Sequence, residues 1–113
     1  MNLLTLAAAA MVFTGIAHSL IGEKRLIGPM LALNIDMLSG YRSNLVRFAW
    51  HFTSLLMIMN ALVIAWPGTP VPLIKITGAM WLIAGVLNAI MTRGKHIGWP
   101  LLSAAGLLAL LGG

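Results

Sequence analysis

Chemistry in this chain must come from a short list of side chains: three histidines, two acidic residues and seven lysines and arginines, with no cysteine. Asn44, Arg47, His51 and Ser54 are spaced 3, 4 and 3 apart, so on a helix they fall in one narrow stripe. His18 closes an earlier apolar run, with Glu23 shortly after it. Asn88 lies near the end of the third apolar run, and Arg93 and His96 follow it before the last. Neutral imidazoles ligate zinc, copper or iron, so His18, His51 and His96 form a candidate transition-metal set that Glu23 can complete. Two histidines on facing helices can instead be the axial ligands of a single haem. A third chemistry is anion binding, in which Arg47, Arg93, Lys95 and the free N–H groups opening the last helix hold a phosphate or lipid headgroup. The plain alternative is that the histidines hydrogen-bond neighbouring helices while the arginines anchor the chain at a membrane face. No two histidines stand three or four apart, so spacing does not choose among these readings.

What must position these residues is a bundle of apolar helices. Of 113 residues, 60% are hydrophobic and 8% charged, against about 25% charged in soluble domains, and mean hydropathy is +0.98. The expectation is an all-α integral membrane four-helix bundle, one domain over residues 1–113. Cysteine's absence excludes disulfides and thiolate chemistry. Net charge is +5, but no basic helix is interleaved with aromatics, so nucleic acid is not an expected partner and membrane lipid is.

Helices are expected over about 3–22, 45–66, 71–92 and 97–111. The second has 22 residues, enough at about 1.5 Å each to cross a hydrocarbon core with some tilt. Ala7, Met11, Thr14, His18 and Gly22 form an inward stripe on the first, and Gly78, Trp81, Gly85, Asn88 and Thr92 another on the third. Gly28 and Pro29 are expected to break any helix continuing from the first span, with a short amphipathic run around 30–38. WPGTPVP makes a rigid turn between the second and third spans, and Pro100 sits in the first turn of the fourth, where its missing N–H is not needed. Lys24, Arg25, Arg42, Arg47, Arg93 and Lys95 fall on one side of this topology and Lys75 alone on the other, which makes the first side cytoplasmic and both termini outside.

The segments HSLIGEKRLIGPML, RFAWHFTS and TRGKHIGWPLL resemble a group of small bacterial four-span membrane proteins of unassigned function, in which an H-x3-GE segment ends the first helix and a WH pair begins the second. The matching positions are His18, Gly22, Glu23, Arg47, Trp50 and His51. The resemblance implies the fold and a multi-pass location in the bacterial inner membrane, and brings no activity with it.

Two function classes follow. One is an accessory or interaction subunit, packing its small-residue faces on a larger membrane complex or on copies of itself. The other is a ligand-binding protein using His18, Glu23, Arg47, His51, Asn88, Arg93 and His96 for a metal ion, haem or anionic headgroup. An enzyme is not expected: neither Glu23 nor Asp36 lies within a span, and Ser54, His51 and Asp36 lack a nucleophile elbow. Proton-coupled efflux of the small multidrug resistance kind needs a carboxylate in the middle of the first span, which holds none.

Overall fold

The computed structural model describes residues 2–113, and its regular structure there is entirely helical. Four main helices are present: α1 (Leu3–Gly22), α2 (Tyr41–Ala65), α3 (Val71–Met91) and α4 (Gly98–Gly112). Three helical segments, Leu3–Leu31, Tyr41–Ala65 and Val71–Met91, are long and apolar enough to cross a membrane, while Gly98–Gly112 is shorter. Asn2 caps α1 by accepting the Thr5 N–H at 2.8 Å and the Thr5 hydroxyl at 2.9 Å.

The expected break at Gly28 and Pro29 does not occur. The helix runs on from α1 through a π turn, Glu23–Ile27, and a last α turn, Gly28–Leu31. In a regular α-helix Pro29 would withhold a hydrogen bond from the carbonyl four residues earlier and press its ring against it. Widening the turn relieves this: the Gly28 N–H reaches back five residues to the Glu23 carbonyl. A Cβ on Gly28 would lie 2.9 Å from that carbonyl oxygen, so glycine is what lets the turn close. The amphipathic run expected beyond it is reduced to one 3-10 turn, Asp36–Leu38.

Packing follows the small residues. α1 lies against α2 and α4, and α3 against α4, whereas α2 and α3, though consecutive, touch at few points. The buried interior consists of Ala7, Met11, Ala61, Ile64, Ile74, Trp81, Ala105 and Ala109. A Cβ on Gly78 would meet the Gly106 carbonyl at 2.9 Å, and one on Gly85 would overlap Ser103. The glycine stripe on α3 is thus filled by α4, whose own Gly106 returns the contact. Where α2 and α3 do meet, the Trp81 indole donates to Asn60 Oδ1 at 3.0 Å. At the end of the bundle remote from Glu23, the Lys75 ammonium donates to the Leu110 carbonyl, satisfying an acceptor that the α4 terminus leaves free.

Candidate functional site

The polar residues of α1 and α2 form one connected chain. His18 Nδ1 lies 2.7 Å from Ser54 Oγ, the Ser54 and Ser19 hydroxyls are 2.7 Å apart, and His51 Nδ1 lies 2.8 Å from Ser19 Oγ. His51 Nε2 then lies 3.0 Å from Glu23 Oε1. Arg47 closes the outer end with a two-pronged contact, Nε donating to Glu23 Oε1 at 2.8 Å and Nη2 to Oε2 at 3.2 Å. Burial grades along the chain: the Arg47 side chain is 45% exposed, Glu23 33%, and Ser54 3%.

Helical spacing explains why these groups meet. Arg47, His51 and Ser54 share a stripe of α2, and Ser19 and Glu23, four apart, share a facing stripe that runs from α1 into the π turn. Gly22 lets the helices close: a Cβ there would sit 2.5 Å from Trp50 Cε2, inside the indole. With that space free, the Trp50 N–H donates to the His18 carbonyl at 2.8 Å. Its ring also stacks on the His18 imidazole, centroids 4.1 Å apart and planes within 10°. His18 is therefore held from both sides, by an indole face and by a serine.

Hydrogen-bond arithmetic gives the chain two senses. A serine hydroxyl donates once and accepts twice, and a neutral imidazole donates through one nitrogen only. In one arrangement His18 Nδ1–H donates to Ser54, Ser54 to Ser19, Ser19 to His51 Nδ1, and His51 Nε2–H to Glu23. In the other every bond from His18 to His51 is reversed, and His51 carries hydrogen on both nitrogens against the Glu23 carboxylate. The same heavy-atom positions serve both. Among the described residues no buried side-chain nitrogen or oxygen is left without a partner.

Of the seven residues singled out from the sequence, four (His18, Glu23, Arg47 and His51) belong to this chain. The other three do not join it. His96 Nδ1 lies 3.2 Å from Asn88 Oδ1 and 3.2 Å from the Gly98 N–H, and Arg93 forms no ion pair among the described residues. No group of three or more His, Asp or Glu side chains among the described residues is arranged to hold a metal ion, so His18, His51 and His96 do not converge. Both nitrogens of His51 face polar partners, which leaves neither turned to an axial ligand position. Arg47 is committed to Glu23, which removes the main cation from an anion site in α2.

Ser19 is not among the residues singled out from the sequence, and Trp50 stands there only as a matching position of the resemblance. The signal for Ser19 was its four-residue spacing to Glu23, parallel to the stripe on α2. For Trp50 it was the fit of a large ring opposite Gly22.

Comparison with protein-family models, curated proteins and solved structures gives no match. The functional reading therefore rests on the geometry of the α1–α2 chain.

Proposed function

We propose that this is an integral membrane protein that relays protons between one membrane face and the middle of its bundle, along Glu23, His51, Ser19, Ser54 and His18. The observation that carries the reading is the unbroken run of contacts of 2.7–3.0 Å from His18 to Glu23, with a serine–serine bridge inside it. Ionisable groups are costly within a bilayer, and those that persist there commonly line proton and substrate paths. Starting from a doubly protonated His18, the Nδ1–H bond breaks as Ser54 gains a proton. Ser54 passes its own to Ser19, Ser19 passes its own to His51 Nδ1, and the new charge on His51 lies beside Glu23. One proton has moved from His18 to His51 without displacement of a heavy atom. The run ends near the middle of α2; beyond it the buried residues Met11, Ala61 and Ile64 are apolar, and the one buried hydroxyl nearby, Thr14, donates to the Ala10 carbonyl at 2.7 Å and does not continue the chain. It is a half-path that serves a proton-exchanging group within the membrane.

In this reading the chain crosses a bacterial inner membrane four times, with Glu23 and Arg47 toward the cytoplasm and both termini outside. Support for the orientation is the placement of six of seven lysines and arginines on the Glu23 side. α4, with 15 residues and about 22 Å of helix, crosses where the bilayer thins or its flanks reach the interface. An accessory-subunit role has less to draw on, because Gly15, Gly78, Gly85 and Gly106 all meet neighbours within the chain.

The test is hydrogen–deuterium exchange at the His18 imidazole, followed by NMR on histidine-labelled protein in bilayers. Ser54→Ala should slow exchange at His18 by about tenfold or more while leaving His51 unchanged, since hydrogen-bonded relays fail at one missing link. Ser54→Thr keeps a hydroxyl and should restore the rate. Equal His18 rates in wild type and Ser54→Ala would reduce the chain to a clamp between helices.

A further inference from the structure

Beside the relay, the outer surface of the α1–α2 pair carries a groove of about 360 Å³ that is apolar apart from a small polar patch on its floor. Ser19, His51 and Ser54 lie at its base, and Ile16, Leu20, Phe48, Phe52, Leu55 and Ile58 form the sides. The size falls in the range of small-molecule sites, roughly 300–1,000 Å³, and the sides are those of a pocket filled from the lipid phase. We propose that this groove binds a membrane-soluble phenol, its ring against Phe48 and Phe52 and its hydroxyl donating to Ser19 Oγ. The inference rests on the relay reading for its purpose, since such a ligand would be the group that exchanges a proton with the chain, but its binding stands on separate observations.

The first is the valence left over on the floor. In either sense of the relay Ser19 donates one hydrogen bond and accepts one, which leaves a single spare lone pair. What the floor lacks is a donor. A hydroxyl satisfies it, whereas a ketone or ether oxygen would face another acceptor. Ser19 is the reachable serine, being half-buried where Ser54 is only 3% exposed.

The second is the aromatic wall. Phe48 and Phe52 stand one turn apart with ring centroids 5.5 Å apart and planes within 19°, and they remain 61% and 44% exposed. Two near-parallel rings with open faces suit a third ring by offset stacking. The third is charge. Arg47 is engaged by both carboxylate oxygens of Glu23, so no free cation lines the groove to receive a phospholipid phosphate. A groove of about 230 Å³ between α2 and α3 also has acceptors, at Thr53 and Asn60, but it lacks the exposed ring pair: its one aromatic, Trp81, is 6% exposed.

Equilibrium binding of 4-nonylphenol and of nonylbenzene to the full chain in lipid nanodiscs tests the proposal. The phenol should bind saturably at one per chain and about tenfold more tightly than the hydrocarbon, the difference being one hydrogen bond made in an apolar site. Ser19→Ala should reduce the phenol to the hydrocarbon's affinity, and Leu20→Trp, which fills the groove from the exposed side, should abolish saturable binding of both. Thr53→Ala, outside this groove and bonded only to the Ala49 carbonyl, should bind the phenol within about twofold of wild type. Equal affinity for the two probes, non-saturable partition alone, or a phenol affinity indifferent to Ser19→Ala would each overturn the groove assignment. Phenol binding that persists when His18 exchange proves independent of Ser54 would leave the groove standing and remove only the relay.

Discussion

At the scale of single residues, the site depends as much on a missing side chain as on the polar ones. The indole of Trp50 occupies the space a Cβ on Gly22 would need, and from there it both stacks on His18 and bonds its carbonyl. Gly22→Val is therefore expected to separate α1 from α2 at the level of the relay, costing about 1–3 kcal/mol by overpacking. Denaturation of the purified protein checks the loss, and a Trp50→Leu change in the same background should recover part of it by making room. A Gly22→Val variant as stable as wild type would show that Trp50 moves aside freely, and that His18 is not held by it. The identities of His18, Glu23, Arg47 and His51 could be read from the sequence because charged and imidazole groups are rare in so apolar a chain. Ser19 could not be ranked on the same ground. Its role depends on the azimuth of α1 against α2, which fixes which of two adjacent polar residues, His18 or Ser19, faces His51.

At the scale of helices, the sequence pattern carried more. Gly78 and Gly85 recur on one face of α3, and that face is where α4 packs, with Ser103 and Gly106 opposite. Glycine at such a crossing lets backbones approach in a medium where burial alone does not drive helices together. Gly85→Leu should push α4 away and lower the detergent melting temperature markedly, by the equivalent of about 2 kcal/mol or more, whereas Leu87→Ala on the exposed face should change it little. An unchanged melting profile for Gly85→Leu would refute the contact. The π turn was not legible in the same way. Gly28 and Pro29 read as a stop, because proline is incompatible with the interior of a regular α-helix. A wider turn that moves the opposing carbonyl aside was the local solution.

At the scale of the whole molecule, charge separates the two ends. Lys24, Arg25, Arg42, Arg47, Arg93 and Lys95 lie toward the Glu23 end, and Lys75 toward the other, where it is bound to the last turn of α4. In the orientation proposed, a cysteine introduced at Gly113 or at Gly68 in the α2–α3 turn should be labelled from outside the cell in more than about nine molecules in ten. Labelling of Gly113 from the cytoplasm in most molecules would invert the assignment, and equal labelling from both sides would mean that the chain inserts both ways. The order of packing, α2 against α1, α1 against α4 and α4 against α3, also explains why the polar chain is confined to one helix pair: α1 and α2 bring their polar stripes together, while α3 meets α4 mainly through glycine, alanine and serine, with Trp81–Asn60 and Lys75–Leu110 as isolated polar contacts.

The π turn after α1 makes this stretch sensitive to length rather than to composition. Lys24 and Arg25 are exposed, so exchanging either for another residue leaves the geometry in place. Removing either one takes out the extra residue that the wide turn accommodates. The helix would then close as a regular α turn with Ile27, 2% exposed, kept near its seat, but the Pro29 ring would again press on the carbonyl four residues earlier that the wide turn moves aside. Among variants of this chain, the segment from Gly22 to Pro29 should accept many substitutions at Lys24 and Arg25 and no single-residue deletion.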